Sequence, residues 1–270
     1  MSVEFRERYG PWAVVAGASE GLGAQFAEQV AARGLNVVLV ARRAELLESL
    51  AARLKSEKQV DVRICSADLA RADCVEALRR ATEGLEVGLV VYNAAFAPVG
   101  PWLEQPLEDQ LKAVDVNCRG PLLLLHQFGR GMAQRKRGGV VVMSSVAGFQ
   151  GGPTLSVYAA TKAFGRVLAE GLWAELAPHG VDLVACAAGA IRTPNYSKAS
   201  TREAPGTLDP KDVAVEALEA LGRRPVSIPG AVNQLAAFLL GRLLPRRTAV
   251  RIMASATRSL QESGVAHDGA

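Results

Sequence analysis

Seven short apolar runs, rich in valine, alternate with longer amphipathic segments along most of this chain. Within each run the apolar residues are consecutive rather than two apart, which indicates strands that are buried on both faces. Strands of this kind form a parallel sheet covered by helices on both sides. The runs occupy residues 12–17, 35–41, 60–65, 87–93, 139–144, 181–187 and 226–228. We therefore predict an α/β fold, with a doubly wound parallel sheet of about seven strands and helices on both faces.

The segments between the runs predict helices and one long loop. The first helix begins near Gly21 and ends at Gly34, because glycine suits the left-handed residue after a helix end. Longer helical patterns occupy residues 43–58, 71–83, 107–136 and 156–178. Residues 189–208 are polar and lack periodicity. We interpret them as a substrate lid, since so long a loop in a compact domain is usually functional or disordered. The whole chain, 1–270, is predicted to form a single domain.

Composition and charge restrict the class of protein. Hydrophobic residues make up 49% of the chain and charged residues 21%, which is typical of globular proteins. The net charge of +4 is spread along the chain apart from a C-terminal cluster, so nucleic acid is not an expected partner. The N-terminus lacks the apolar segment of a secretory signal, and no apolar run reaches the ~18 residues of a membrane span. Because the cysteines lack CxxC spacing and the histidines lie far apart, we expect reduced thiols, no metal site and a cytoplasmic location.

A glycine-rich turn separates the first predicted strand from the first predicted helix. Gly17, Gly21 and Gly23 have the spacing GxxxGxG, which differs from the common GxGxxG dinucleotide fingerprint. Glycines let the backbone approach a pyrophosphate closely, and the N-terminus of the helix offers unpaired N–H groups and a partial positive charge. The cluster alone fits a phosphate site and a plain tight turn equally well.

Two arginines follow the second predicted strand. In NAD-binding proteins an acidic residue at this point accepts hydrogen bonds from the ribose 2′-hydroxyl, but here the strand ends at Ala41. Arg42, the next residue, can instead pair with a 2′-phosphate. The sequence therefore favours NADP(H) over NAD. The alternative is that Arg42 and Arg43 are solvated charges at the start of a helix.

Ser145, Tyr158 and Lys162 are the candidate reactive side chains. Tyr158 and Lys162 are four residues apart, so they share one face of a helix. A cation beside a phenol favours the phenolate and lowers the phenol pKa from about 10. The pair is therefore a plausible proton donor and acceptor near neutrality, although Tyr and Lys with this spacing also occur by chance on solvated helices.

With these residues in place, the chain resembles the short-chain dehydrogenase/reductase family from about residue 12 to residue 195. The resemblance implies a Rossmann-like fold and an NADP-preferring carbonyl reductase with an extended C-terminus, which forms a homodimer or homotetramer. The matching features are the Gly17, Gly21 and Gly23 turn, Asp68-Leu69, Asn93-Ala94, Asn117, Ser145 thirteen residues before Tyr158, and Gly189 with Ile191 and Thr193.

The resemblance also implies a role for each catalytic residue. Tyr158 would be the general acid in carbonyl reduction and the base in alcohol oxidation. Lys162 would lower the pKa of Tyr158 and hold the nicotinamide ribose, while Ser145 would orient and polarise the carbonyl. Asn117 would interrupt the regularity of its helix and hold a water molecule in a proton relay to Lys162.

The same resemblance implies the residues that bind the cofactor. Asp68 and Leu69 would contact the adenine, and Asn93 would brace the edge of the sheet beside the cofactor. The full expected set is Gly17, Ser19, Glu20, Gly21, Leu22, Gly23, Arg42, Arg43, Asp68, Leu69, Asn93, Ala94, Tyr158, Lys162, Gly189, Ile191 and Thr193.

The C-terminus continues for about forty residues beyond Pro229-Gly230. We predict that residues 230–265 form a helical extension, in which an apolar helix is followed by basic residues. It would pack against the domain, roof the substrate cleft or make a dimer contact. Alternatively, residues 231–253 would touch an anionic membrane surface, and the cytoplasmic protein would then be peripheral.

The sequence as a whole favours an NADPH-dependent reductase of a hydrophobic ketone. The extension and the lid resemble those of family members that reduce lipid-like ketones, including 3-oxoacyl and steroid substrates. The partner is accordingly a small hydrophobic carbonyl or alcohol compound. Two alternatives stay open, a secondary-alcohol dehydrogenase that runs oxidatively and a non-catalytic NADP-binding regulatory protein.

Overall fold

A single seven-stranded sheet organises the chain, of which the computed structural model describes residues 2–194, 196 and 203–262. The strands follow the order β3-β2-β1-β4-β5-β6-β7, and every neighbouring pair is parallel. The strands are β1 Trp12–Ala16, β2 Asn36–Ala41, β3 Val62–Ser66, β4 Val87–Tyr92, β5 Gly138–Ser145, β6 Val181–Ala188 and β7 Val226–Ser227. The predicted doubly wound parallel sheet is confirmed, with all seven strands within two residues of the expected runs.

Helices flank the sheet on both faces, in the predicted segments and at two unpredicted places, residues 2–9 and 210–220. They are α1 Ser2–Tyr9, α2 Gly21–Ala32, α3 Ala44–Lys58, α4 Cys74–Ala81, α5 Leu107–Val114, α6 Gly120–Arg135, α7 Ser156–Leu176, α8 Pro210–Ala220, α9 Ala231–Phe238 and α10 Arg246–Glu262. The helix predicted over 107–136 is interrupted by a π-helical turn, Asp115–Arg119, which joins α5 to α6. The residue at the centre of this turn is Asn117.

Two hydrophobic layers enclose the sheet, because alternate strand residues point to opposite faces. On one face Val15 packs with residues of α2, α3 and α8, such as Phe26 and Leu47. On the other face Val14 packs with residues of α4, α6 and α7, such as Leu124. Burial on both faces explains why the strand sequences are continuously apolar.

The order of the strands reverses between β1 and β4, which places a crevice at the carboxyl edge of the sheet. In open parallel sheets, ligands bind at this position. β1 and β4 end level with each other, since Ala16 pairs with Tyr92, whereas β5 and β6 extend three residues farther, since Tyr92 pairs with Val142 and Ser145 pairs with Ala188. Loops that follow β1, β4, β5 and β6 therefore converge on one site.

The segment predicted as a lid leaves and rejoins the domain at one point. Ile191 and Leu208 form an isolated parallel bridge, and the Leu208 amide donates to the Ala190 carbonyl at 3.0 Å. Arg192 and Glu203 form an ion pair at 2.6 Å. Residues 195 and 197–202 of the lid lie outside the described residues.

The C-terminal extension packs on the loop that follows β5. Its π-helical turn, Leu239–Leu243, lies next to Phe149, because a Cβ placed on Gly241 would be 3.5 Å from Phe149 Cδ1. Arg246 donates to the Phe149 carbonyl at 2.9 Å. The extension therefore covers the loop that begins immediately after Ser145.

Candidate active site

Ser145, Tyr158 and Lys162 meet at the carboxyl edge of the sheet. Ser145 is the last residue of β5, whereas Tyr158 and Lys162 lie one turn apart near the start of α7. Ser145 lies close enough to Tyr158 to act on its phenol, and its Oγ accepts from the Ala147 amide at 3.2 Å. A hydroxyl and a phenol are thus held together at the mouth of the crevice.

Lys162 lies behind this pair with its ammonium group buried. Its side chain is 5% exposed, and its Nζ donates to the Met143 carbonyl of β5 at 2.9 Å. The same Nζ lies 5.6 Å from the centroid of the Tyr158 ring. The strand thereby fixes the position of the ammonium group relative to the phenol.

Burial shifts the pKa of both groups toward their neutral forms. It raises the pKa of Tyr158 above its ordinary value of 10, and the hydrogen bond with Ser145 offsets part of that rise. It lowers the pKa of Lys162 to about 8 from 10.5, against a smaller opposite effect of Cys118. The sequence predicted a lowered pKa for Tyr158. The direction is the opposite, because the loss of hydration on burial is the largest effect on the phenol.

Asn117 braces the site from the π-helical turn. Its Oδ1 accepts from the Phe96 amide at 2.9 Å, and its Nδ2 donates to the Phe96 carbonyl at 2.8 Å and to Thr161 Oγ1 at 2.9 Å. Thr161 Oγ1 in turn donates to the Tyr158 carbonyl at 2.8 Å. The side-chain N–H groups of Asn117 are engaged by protein atoms, and the proton relay through a water molecule stays a prediction. The side chain instead connects the loop after β4 to the helix that carries Tyr158.

Ser144, the neighbour of Ser145, has a different position. Its Oγ is buried and donates to the Lys162 carbonyl at 2.8 Å. A Cβ at Gly148 would lie 2.8 Å from the Ala163 amide, so the loop after β5 approaches the backbone of α7 closely. The hydroxyl of Ser144 therefore ties β5 to α7, whereas that of Ser145 faces the phenol.

The glycine turn forms a backbone cradle beside these residues. Gly17 and Gly21 have φ values of 82° and 56°, which L side chains rarely adopt. A Cβ at Gly23 would overlap the Gly17 carbonyl oxygen, to which Asn93 Nδ2 donates at 3.0 Å. A Cβ at Gly17 would lie 2.6 Å from the Ala94 amide. Side chains are thus excluded where the backbone would meet a phosphate.

The N-terminus of α2 opens onto this cradle. The residue that precedes the helix, Glu20, makes no side-chain capping hydrogen bond, so the first N–H groups of the helix have no side-chain acceptor there. Leu22 contributes only its backbone, because its side chain is 7% exposed and packs in the core. Backbone donors at a helix N-terminus suit an anion such as a pyrophosphate.

Arg43 reaches across to the glycine turn from the end of β2. Its Nη2 donates to Ser19 Oγ at 2.8 Å and to Glu20 Oε1 at 2.7 Å. Arg42 is exposed beside it, and its carbonyl accepts from Ser66 Oγ at 3.1 Å. The Arg43 guanidinium therefore flanks the cradle on the side of β2, next to the exposed Arg42.

Asp68 and Leu69 follow β3 at the same edge of the sheet. Asp68 Oδ1 accepts from the Ala70 amide at 3.0 Å, which fixes the turn. The Leu69 side chain is 6% exposed and belongs to the core.

Gly189 and Thr193 begin the lid on the opposite side of the crevice. A Cβ on Gly21 would lie 3.1 Å from Thr193 Cγ2, so Thr193 rests on the glycine turn. A Cβ on Gly189 would overlap Asn233 Oδ1. Asn233 is 5% exposed and donates to the Gly206 carbonyl at 3.0 Å. One amide thus contacts both ends of the lid.

Sequence reasoning missed two residues that hold the site together. Asn233 stood out only as an amide within an apolar helix, and Thr161 only as the neighbour of Lys162. Asn233 and its partner Gly206 are 27 residues apart in sequence, and Thr161 and its partner Asn117 are 44 residues apart. No local pattern indicates such distant contacts.

The residues around the crevice fit a nicotinamide dinucleotide. The side-chain-free cradle and the uncapped start of α2 suit its pyrophosphate, while the arginines after β2 suit anionic groups on its adenosine end. Ser145, Tyr158 and Lys162 lie farther along the same edge of the sheet, beyond Asn93 and Asn117. The arrangement can place a proton donor at one end of a bound dinucleotide.

Comparison with known proteins agrees with this geometry. The family model for short chain dehydrogenases matches residues 11–204. The chain is 32% identical over 235 residues to a 7beta-hydroxysteroid dehydrogenase of Clostridium sardiniense, covering 86% of this chain and 90% of that protein. It is 33% identical over 223 residues to a very-long-chain 3-oxoacyl-CoA reductase of Phaeosphaeria nodorum, covering 79% of this chain and 64% of that protein.

A solved structure has the same fold. It is a short-chain dehydrogenase from Sphingobium yanoikuyae in complex with NADPH, with a TM-score of 0.75 and 30% identity, covering 97% of this chain and 98% of that one. The matched family model spans more than half of the residues and includes the cradle, the crevice and α7. The protein therefore belongs to the short-chain dehydrogenase/reductase family, as an NAD(P)-dependent oxidoreductase that acts on CH–OH and C=O groups.

Proposed function

We propose that this protein is an NADPH-dependent reductase that converts a hydrophobic ketone to the secondary alcohol. The observation that carries the proposal is the convergence of Ser145, Tyr158 and Lys162 at the end of a backbone cradle with two arginines at its other side. Among the three side chains, the phenol of Tyr158 is the proton donor, and the cradle suits a dinucleotide phosphate.

The protonation states support reduction in particular. Burial raises the pKa of Tyr158, so the phenol keeps its proton near neutral pH and is ready to donate it to a carbonyl oxygen. Ser145, which lies beside the phenol, orients the same oxygen. Lys162 holds positive charge behind the phenol and stabilises the negative charge that develops as the proton leaves. When bound, NADPH supplies the hydride that the carbonyl carbon accepts.

The preference for NADPH rests on the end of β2. Ala41 lacks the acidic side chain that would bind a ribose 2′-hydroxyl, and Arg42 and Arg43 offer guanidinium groups for a 2′-phosphate. Arg42 follows the strand directly and is exposed, and Arg43 pairs with Glu20. The similar protein from Sphingobium yanoikuyae binds NADPH.

The hydrophobic character of the substrate rests on the surroundings of Ser145. The loop after β5 carries Phe149, and the apolar extension packs on it. The two relatives are named for a steroid and a very-long-chain acyl substrate, both of which are large and apolar. We infer a lipid-like ketone of steroid or 3-oxoacyl type.

We also propose a homodimer formed through α5 and α7. Both helices expose apolar side chains, among them Leu107, Leu111, Phe164 and Val167 at 63%, 54%, 36% and 56%. Exposed apolar surface of this kind marks an interaction site. Val167→Glu is expected to yield monomers in size-exclusion chromatography with light scattering, and an unchanged mass for wild type and variant would contradict the proposal.

Turnover of Tyr158→Phe tests the mechanism. The variant lacks the proton donor, so kcat with NADPH and a ketone should fall by roughly 10²- to 10⁴-fold, while NADPH still binds. Tyr9→Phe is the matched control, because Tyr9 Oη donates to Asp182 at the far edge of the sheet. Full activity in Tyr158→Phe would refute the mechanism, and bound NADPH without turnover of any ketone by wild type would favour the regulatory alternative.

The choice of ketones in that assay identifies the substrate class. A steroid ketone, a 3-oxoacyl thioester and a small aromatic ketone are compared through the loss of NADPH absorbance. A higher kcat/KM for the first two than for the third is expected. Preference for the small ketone would contradict a lipid-like substrate.

Arg42→Ala tests the choice of cofactor. Loss of a hydrogen bond to a charged group costs about 1.5–3 kcal/mol, so kcat/KM should fall roughly 10- to 100-fold with NADPH and little with NADH. Arg224→Ala, which removes an exposed arginine from the opposite edge of the sheet, is the control. Equal losses with both cofactors would contradict the assignment.

A further inference from the structure

The outward face of α9 and its π-helical turn is apolar. Val232, Leu235, Phe238 and Leu243 are 55%, 59%, 49% and 59% exposed. The opposite face carries Asn233 and Ala237, which are 5% and 4% exposed. Surface helices ordinarily direct their large apolar side chains toward the core, whereas those of this helix meet solvent.

The same segment is strongly and uniformly basic. Residues 231–255 contain four arginines and no aspartate or glutamate. The arginines are Arg242, Arg246, Arg247 and Arg251. All four are exposed, and among the residues that the structure describes none of them forms an ion pair with an acidic side chain. Arg247 and Arg251 lie one turn apart on α10, opposite Ala249, which is fully buried.

This surface borders the candidate active site. The extension contacts the loop after Ser145 at two points, since Arg246 donates to the Phe149 carbonyl and a Cβ on Gly152 would lie 3.9 Å from Met253 Cε. The apolar helix and its arginines therefore belong to the segment that packs on the loop after Ser145.

We propose that residues 231–253 form a docking surface for an anionic lipid bilayer. Apolar side chains next to arginines match the interface of such a bilayer. The apolar side chains enter the boundary of the acyl chains, and the arginines contact the anionic headgroups. A second copy of the chain is the poorer occupant, because a two-fold contact through this face would oppose arginines with arginines. The segment offers no acidic residue to balance them.

Docking places the candidate active site next to the lipid bilayer, in which an apolar ketone dissolves. This consequence rests on the proposed function, whereas the docking surface itself does not. The protein is thereby held on one leaflet, and no described helix is long and apolar enough to span a bilayer.

Cosedimentation of the full chain with vesicles tests the proposal. The wild type should bind vesicles of phosphatidylcholine with phosphatidylserine and bind vesicles of phosphatidylcholine alone much more weakly. An arginine near an anionic surface contributes about fivefold in affinity, so Arg247→Gln with Arg251→Gln should lower binding about 25-fold. Leu235→Gln with Phe238→Gln should weaken binding to the anionic vesicles as well.

A matched control separates local from general charge effects. Arg223→Gln with Arg224→Gln removes the same charge from exposed positions before β7, at the far edge of the sheet, and should leave binding unchanged. Equal losses of vesicle binding in the Arg247/Arg251 and Arg223/Arg224 double variants would overturn the proposal. Failure of the wild type to bind anionic vesicles would overturn it as well. A larger oligomeric mass for wild type than for Leu235→Gln with Phe238→Gln in size-exclusion chromatography with light scattering would overturn it too. A second copy of the chain would then cover the face. Vesicle binding by a protein without ketone reductase activity would support the docking surface and contradict the proposed function.

Discussion

The Lys162→Met substitution replaces a buried ammonium group by an apolar side chain of similar length. Lys162 is 5% exposed, and burial lowers its pKa to about 8 from 10.5. Below that pKa the folded protein holds a charge where hydration is poor, whereas the unfolded chain holds the same charge in water. The native lysine therefore destabilises the fold at neutral pH, and this destabilisation is relieved as the pH rises.

The magnitude follows from the two pKa values. Between about pH 8 and 10 the folded protein has released this proton while the unfolded chain keeps it, so the free energy of unfolding rises with pH. One proton corresponds to about 1.4 kcal/mol per pH unit. Integration over this window gives the wild type a gain of about 2 kcal/mol relative to Lys162→Met. Below about pH 7 both states are protonated, and the difference should be constant.

Urea unfolding followed by tryptophan fluorescence measures this difference. Wild type and Lys162→Met are compared at several pH values under reducing conditions, and subtraction cancels the titration of groups common to both proteins. The variant also leaves the Met143 carbonyl without its donor, which adds a cost that does not depend on pH.

Lys211→Met is the control, because Lys211 is exposed on α8. A difference in the free energy of unfolding between wild type and Lys162→Met that does not change from about pH 7 to 10 would refute the reasoning. A desolvated ammonium group must make the free energy of unfolding of the wild type rise with pH in this range.

Four further substitutions test separate parts of the site. Gly23→Ala should abolish NADPH binding in calorimetry, because its methyl group would overlap the Gly17 carbonyl oxygen. Asn233→Ala should lower the free energy of unfolding by about 1–3 kcal/mol, since the buried Pro229 carbonyl and the part-buried Gly206 carbonyl lose their donor; an unchanged urea midpoint would contradict this. Ser144→Ala should retain most of the turnover and lose about 1 kcal/mol of stability, whereas Ser145→Ala should lose the turnover. The reverse pattern would show that the two hydroxyls are misassigned.

Local patterns were sufficient for the fold. A strand buried on both faces must be apolar at successive positions, and a helix against a sheet must be amphipathic. Short segments of sequence therefore predict the order of strands and helices along the chain. The glycine turn is equally local, because positive φ values and close backbone approach exclude side chains at Gly17 and Gly23. The selection of Ser145 over Ser144 followed from spacing and agrees with the buried bond of Ser144 to Lys162.

Electrostatic and long-range features required the tertiary structure. The sequence indicated a cation beside Tyr158, but it could not show how far both groups are buried, and burial decides the direction of the pKa shift. The engagement of Asn117 with Phe96 and Thr161 likewise depends on how the loop after β4 approaches α7.

The sequence by itself determined the doubly wound sheet, the cradle and the identity of the candidate reactive side chains, because each depends on residues close together along the chain. Only the tertiary structure decided which face of α9 meets solvent, which amide joins the ends of the lid, and which protonation states are favoured. Those properties depend on burial and on contacts between residues far apart in sequence, and both arise only when the chain packs.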